Sequence, residues 1–370
     1  MDFNDILEMV VEKKASDLFI TADIPPSIKV HGRVMPVSKT RLDASQSREL
    51  TLGLMTPEQR DEFLHTKECN FAFSAKNIGR FRVSAFVQRD CVGMVLRRIE
   101  TRIPNFEELG LPPTLHELAM ANRGIVFFVG ATGTGKSTSL AAMVGYRNQN
   151  STGHIISIED PIEFLHNHAG CIVTQREVGI DTESYEVALR NTLRQAPDVI
   201  LIGEIRTREA MEHAISFAET GHLVLTTLHA NNANQALDRM LHFFPEDQHD
   251  RILLDLSLNL RGIVAQQLVP RPQGNGRKAV MEILLNTPLV GDLIVKGEVS
   301  KLKELMKRST EQGMITFDQA LYDAFRRGEI AEDDALRYAD SSNEVRLMIK
   351  LGDTSPSALS REAGALDFRE

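Results

Sequence analysis

Gly130-Ala131-Thr132-Gly133-Thr134-Gly135-Lys136-Ser137 is a complete phosphate-binding loop, and its surroundings are those such a loop needs. Ile125 to Val129 before it is a compact apolar run of strand length, and the residues after Ser137 read as a helix. Glycines remove the Cβ atoms that would keep backbone N–H groups from closing round a phosphate, and the positive end of the helix adds to the attraction. Lys136 is expected to neutralise phosphate charge. Ser137, with Thr138 behind it, is placed to offer a hydroxyl to Mg²⁺ bridging the β- and γ-phosphates. The loop alone implies a bound nucleoside triphosphate and leaves kinase, GTPase and ATPase open.

Downstream, His154 to Ile158, Val199 to Ile202 and His222 to Leu228 are further apolar runs separated by helical segments. That alternation predicts a three-layer α/β domain on a parallel sheet. Ligands of such sheets lie beyond the carboxyl ends of the strands, and acidic residues stand at those ends. Val199-Ile200-Leu201-Ile202 runs into Gly203-Glu204, which makes Glu204 the Walker B candidate, able to hold Mg²⁺ directly or through water. Ile155 to Ile158 runs into Glu159-Asp160-Pro161-Ile162-Glu163, carboxylates suited to orienting a water. Spacing does not decide which of them polarises it. His222 and His229 bracket the last strand, where they could sense or relay loss of the γ-phosphate; taken singly, each reads as a satisfied structural histidine.

Before this domain, Phe3, Ile6, Leu7, Val10 and Val11 recur at helical spacing, and Leu18-Phe19-Ile20 follows as a strand. Ser27–Val30 and Val34–Val37 flank His31-Gly32-Arg33 like a hairpin, and Thr56-Pro57-Glu58-Gln59 is a capping box opening a helix. Gly79 to Val87 and Val92 to Ile99 complete a small α+β domain over residues 1–100. A linker is expected over about 100–115, the ATPase-type domain with a helical C-terminal part over 116–345, and a small, polar, disordered tail over 346–370.

With 370 residues, 42% hydrophobic and 25% charged, the chain can bury a full core in each of two domains. A net charge of -9 gives no footprint for nucleic acid. Cys69, Cys91 and Cys171 are too scattered for a disulfide framework or a four-cysteine zinc site. No apolar run approaches the roughly 20 residues of a spanning helix, so a cytoplasmic protein without direct membrane insertion is expected.

The loop, the Glu159–Glu163 acidic box, Gly203-Glu204-Ile205-Arg206 and the Gly221–His229 histidine box, in this order, resemble the secretion and type IV pilus motor ATPases. The likeness runs from residue 1 to about 345, and Ala15-Ser16-Asp17-Leu18 and Gly79-Arg80-Phe81-Arg82 resemble that family's PAS-like domain. The resemblance implies a RecA-like ATPase domain behind a PAS-like one, a homo-hexameric ring with ATP at subunit junctions, and work at the inner membrane through a pilus platform protein. By the same resemblance Glu163 is the catalytic carboxylate of the acidic box, Glu159 and Asp160 its companions, and His222 and His229 the histidine box. Arg82, Arg97, Arg190 and Arg194 resemble its phosphate-sensing arginines; read from spacing alone, they are equally solvated charge pairs or fingers across a subunit junction.

Extension motors of the family carry a further amino-terminal domain and a four-cysteine zinc insert, which points this chain to the PilT/PilU retraction branch. Its principal retraction motors carry Ala-Ile-Arg-Asn-Leu-Ile-Arg-Glu late in the chain, where this sequence has Leu289-Val290-Gly291-Asp292-Leu293-Ile294-Val295-Lys296. That departure, Thr207, and the tail beyond Asn343 resemble the branch's accessory members, which implies a PilT-like ATPase as working partner. An autonomous retraction motor, a type II secretion ATPase and an ATP-binding structural ring are the alternatives.

Overall fold

The structure is a computed structural model that describes residues 3–30, 32–76, 78–99, 102–272, 274 and 276–353. The chain divides into two compact units. The first takes in the residues up to Ile103 together with Ile162–His166 and Gly179–Asp181, and the second holds the rest from Pro104 onward.

The first unit is built of α1 (Phe3–Glu12), β1 (Asp17–Ile20), β2 (Ser27–Val30), β3 (Arg33–Pro36), α2 (Ala44–Gly53), α3 (Pro57–Thr66), β4 (Glu68–Ala75), β5 (Gly79–Gln88) and β6 (Cys91–Arg98). Its strands form one sheet in the order β3-β2-β1-β6-β5-β4, antiparallel at every pairing. Phe81, Val83 and Ala85 alternate along β5 into a core shared with Leu7, Leu18, Phe63 and Met94, the period-2 pattern of a sheet with one buried face. The capping box at Thr56 forms with both limbs: Gln59 N donates to Thr56 Oγ1 at 3.3 Å and Thr56 N to Gln59 Oε1 at 3.0 Å. The expected hairpin is β2–β3; His31 at its turn lies outside the described residues.

In the second unit come α4 (Phe106–Leu109), α5 (Thr114–Ala119), β7 (Gly124–Val129), α6 (Lys136–Asn150), β8 (Gly153–Glu159), β9 (Cys171–Glu177), α7 (Tyr185–Thr192), β10 (Val199–Ile202), α8 (Arg208–Glu219), β11 (Leu223–Leu228), α9 (Ala233–Leu241), α10 (His249–Asn259), β12 (Leu260–Pro270) and β13 (Arg277–Leu285), followed by α11 (Pro288–Val295), α12 (Leu302–Arg308), α13 (Phe317–Arg326), α14 (Glu332–Tyr338) and α15 (Ser342–Asp353). The sheet order is β13-β12-β7-β11-β10-β8-β9. All neighbours are parallel except the β12–β13 pair at one edge.

Successive residues of β7 go to opposite faces. Ile125, Phe127 and Val129 enter the core under α7 to α15, while Val126 and Phe128 enter the one under α4 to α6. Phe127 and Phe128 are both fully buried, each worth roughly 2–3 kcal/mol of transfer free energy. A strand buried on both faces is predominantly apolar, which is why β7 and β10 read as near-continuous apolar runs, and β11 departs from one only at Thr226 and Thr227. The result is the expected α/β fold: a RecA-like domain preceded by a small α+β domain.

The boundaries differ from expectation in two places. Within the expected linker of 100–115, Phe106, Leu111 and Leu115 are buried in the second unit's core, so from Pro104 this stretch is folded rather than connecting. At the other end, α15 carries ordered chain to Asp353, because Val345 and Ile349 on its inner face are buried against the C-terminal helices. The tail expected from 346 therefore starts no earlier than Thr354, and residues 354–370 lie outside the described residues.

Candidate functional site

The parallel strands end together. Val129 is the register partner of Leu228 on one side and of Ala265 on the other, Ile202 of Thr226 and Ile158, and Glu159 of Glu177. One sheet edge therefore presents, side by side, the loop after β7, His229 after β11, Gly203-Glu204 after β10, Glu159 at the end of β8 with Asp160 just beyond it, and Gln266 of β12.

The loop passes from β7 into α6 with Gly135 at the N-cap position in the left-handed region, φ +85°, and no side-chain cap on the helix. The first N–H groups of α6 thus have no side-chain oxygen from the cap residue. Lys136 is buried, and its ammonium donates to the carbonyls of Gly130 at 2.7 Å and Ala131 at 2.8 Å. Thr134 Oγ1 donates to Ala131 O at 2.9 Å. At Gly130, with φ +153°, a Cβ would come within 2.6 Å of the Gln266 carbonyl oxygen. The loop is thus a ring of backbone with a cation folded into it, a donor set that fits a phosphate chain. Ser137 and Thr138, on the first turn of α6, are half-buried.

Next to the loop, the acidic side chains form a linked set. Glu204 Oε1 lies 3.1 Å from His229 Nε2, and its Oε2 accepts from Arg206 Nε at 2.8 Å. Arg206 reaches on to Asp160, Nη1 to Oδ2 3.7 Å. Its hydrogen bond to Glu204, together with both carboxylate charges, raises the guanidinium pKa further. Glu159 Oε1 accepts from Ser157 Oγ at 2.7 Å and from Gln175 Nε2 at 3.1 Å. β8 and β10 approach closely because Gly203 has no side chain: a Cβ there would meet Tyr185 Oη at 3.0 Å and Glu159 Cα at 3.2 Å. Burial first, and then the charge of Asp160, hold the Tyr185 phenol well above the usual tyrosine range. It stays a neutral hydrogen-bonding group beside the carboxylates.

The two histidines are separated. His229 joins Glu204, but His222 precedes β11 at the amino-terminal edge of the sheet, a strand's length of roughly 20 Å away. There its Nδ1 lies 3.0 Å from Phe217 O and 3.1 Å from Thr220 Oγ1, so within the chain it closes the turn from α8 to β11. The two histidines thus flank β11 at its opposite ends, the bracketing read from the sequence. Glu163 is exposed and lies in Ile162–His166, which belongs to the first unit, whereas Lys136 and Glu204 belong to the second. Arg82 and Arg97 are direct register partners on β5 and β6, on the sheet face away from the first unit's core; Arg97 Nε pairs with Asp17 Oδ1 at 2.9 Å. In the second unit α7 ends at Thr192, so Arg194 sits on the 3₁₀ turn Leu193–Gln195 rather than one α-helical turn beyond Arg190. Arg190 pairs with Glu186 at 2.5 Å.

Sequence reasoning assigned no role to Arg206, Tyr185 or Gln266. Arg206 follows Glu204 by two residues and was visible as a cation beside the Walker B candidate. Tyr185 and Gln266 reach the site only through the sheet order, which carries no local signal. Beside the loop a cavity of about 640 Å³ opens between Gly130, Ala131, His229 and Asn231, with Gln235 and Arg239 of α9 along one wall.

A RecA-like core, a lysine folded into a glycine loop and a carboxylate–histidine pair on the adjoining strand ends define a P-loop ATPase. The chain belongs to the type II/IV secretion system protein family, whose model matches residues 1–321. It is 69% identical over 355 residues to the type IV pilus ATPase PilU of Pseudomonas aeruginosa, covering 96% of this chain and 93% of that one. It is 38% identical over 335 residues to the type IV pilus retraction ATPase PilT of the same organism, covering 90% and 97%. Among solved structures, the pilus retraction motor PilT with bound ADP superposes with a TM-score of 0.87 at 36% identity, over 93% of this chain and 98% of that one. The ATPase DotB of Legionella pneumophila gives 0.76 at 27% identity, over 90% and 94%. No helix among the described residues is long and apolar enough to cross a membrane.

Proposed function

We propose that this chain is a subunit of a homo-hexameric, ATP-driven motor that assists type IV pilus retraction, and so twitching motility, alongside a PilT-like ATPase. The observation that carries the reading is the placing of the Lys136 loop and the Glu204–His229 pair on one carboxyl edge of the sheet. The 69% identity to a type IV pilus ATPase over nearly the whole chain supports the pilus as its setting. The Leu289–Lys296 segment, built mostly into α11, supports the accessory role. Work at the cytoplasmic face of the inner membrane, through the pilus platform protein and without nucleic acid, follows from the same reading.

In this mechanism the backbone of Gly130 to Ser137 and the Lys136 ammonium bind the β- and γ-phosphates, with Thr138 behind them. Ser137 and Glu204 would hold Mg²⁺, Glu204 directly or through water; the ion, when bound, offsets the negative charge that grows on the transferring phosphoryl group. His229 on Oε1 and Arg206 on Oε2 fix the Glu204 carboxylate between them and so hold its orientation. Glu163 is the carboxylate that polarises the attacking water, with Glu204 the other candidate, while Glu159 and Asp160 shape the acidic box. His222 acts from the far end of β11. Arg82, Arg97, Arg190 and Arg194 read the phosphates and pass nucleotide state between units or subunits.

The test is pilus retraction under load in strains that carry the chain, lack it, or carry Lys136→Ala. Lower retraction force in the last two, with PilT-like protein present throughout, is expected. Undiminished force in the deletion strain would overturn the proposal.

A further inference from the structure

On the β7 side, β12 outruns its neighbour. Ala265 is the register partner of Val129, the last residue of β7, so Gln266, paired with Met281 of β13 on its other side, faces the phosphate loop where β7 has ended. Its side chain is almost fully buried, at 2% exposure. The amide Nε2 donates to Thr134 O at 2.9 Å. Its main-chain oxygen lies 2.6 Å from where a Cβ on Gly130 would stand, and Nε2 lies 2.8 Å from the corresponding point on Gly135. Both ends of the loop therefore close on this one residue. The amide oxygen is buried and takes no hydrogen bond from the described residues. Only the Thr134 carbonyl fixes which way the amide points, since the reversed amide would set oxygen against oxygen.

The other restraints on the loop differ in kind. Two protons of the Lys136 ammonium are spent on the carbonyls of Gly130 and Ala131. A phosphate competes with these carbonyls for the ammonium. Thr134 Oγ1 on Ala131 O and Gln266 on Thr134 O are then the contacts that keep the loop's shape, and of these only Gln266 anchors it to the sheet. A neutral amide does this without placing negative charge beside the phosphates, as a carboxylate would.

We propose that Gln266 is a positioning residue for the nucleotide: it holds the Thr134–Gly135 part of the loop in its anion-accepting shape and thereby sets affinity. The inference rests on the reading of Gly130 to Ser137 as a nucleotide site. Its test uses the full-length protein, titrated with N-methylanthraniloyl-ADP and assayed for ATP turnover over a range of ATP concentrations. Gln266→Met, of similar length and volume without the donor, is expected to raise the ADP Kd about tenfold, or about 1.4 kcal/mol, and the KM for ATP in parallel. Its kcat should stay within about twofold of the parent value. Gln266→Glu, which sets a carboxylate against the Thr134 carbonyl, should weaken binding further, and it carries the test if the Met variant does not fold. A folded variant with parental Kd, or one that loses kcat at unchanged KM, overturns the role of Gln266. A parent protein that binds no labelled ADP would instead remove the nucleotide reading itself.

Discussion

Glu282 of β13 is buried where two helices begin. Its Oε1 accepts from the N–H of Ala233, the first residue of α9, at 2.8 Å, and its Oε2 from that of Phe317, the first of α13, at 3.4 Å. Burial is the main cause that raises its pKa from 4.5 to about 7; the two amide donors and Lys303 oppose the rise, and Asp340 adds to it. Between those values the folded chain holds a proton that the unfolded chain has released. The resulting stability is full below 4.5 and is lost as pH rises through about 7. At about 1.4 kcal/mol per pH unit, the interval amounts to about 3 kcal/mol. A carboxamide at this position does not titrate, so Glu282→Gln should be slightly less stable than the parent at pH 5, by about 1 kcal/mol for the disturbed Phe317 hydrogen bond. By pH 8 it should have gained about 3 kcal/mol relative to the parent. Urea titrations of both proteins at the two pH values, followed by far-UV circular dichroism, measure the difference directly. Contributions common to both proteins cancel, including that of His166, whose pKa burial lowers to about 4. Stability curves that stay parallel within about 1 kcal/mol from pH 5 to pH 8 would refute the reasoning.

Three further outcomes follow from the geometry. Glu204→Gln should retain ADP binding yet lower turnover by about a hundredfold or more, as comparison of labelled-ADP titration with steady-state phosphate release will show. Gly203→Ala puts a methyl group 3.0 Å from Tyr185 Oη and 3.2 Å from Glu159 Cα; a loss of roughly 1–3 kcal/mol in urea unfolding is expected, and an unchanged midpoint would contradict the close strand approach. In the first unit the buried hydroxyl of Ser47 donates to Val92 O at 2.6 Å, so Ser47→Ala should cost about 1–3 kcal/mol by leaving that carbonyl unpaired, measured by the same unfolding assay.

The loop and the four central strands were legible because their patterns are local: glycine spacing for the one, compact and mainly apolar runs for the others. Other elements lacked such marks. α2 buries Ser47 and Thr51, so it has no apolar face to give a helical period, although Asp43 and Gln46 form a capping box at its start. β12 begins at Leu260, directly after α10 ends at Asn259, and with no turn residue between them the helix-to-strand change leaves no punctuation. β9 follows β8 without an intervening helix, contrary to the alternation that identified the other strands. At the site, Glu204 was read from its strand-end position, while His229 drew its role from the histidine box of the resemblance. The bridge from Arg206 to Asp160 and the hold of Gln266 on the loop depend on strand order and direction. Those are properties of the assembled sheet, and no stretch of a few residues encodes them.

The central claim is that the Lys136 loop and the Glu204–His229 pair form one ATP-hydrolysing site. Steady-state phosphate release by the purified full-length chain with ATP and Mg²⁺, beside Lys136→Ala of matched circular dichroism, tests it most directly. The account predicts measurable turnover in the parent and none above background in the variant. Equal turnover in the two proteins would contradict it.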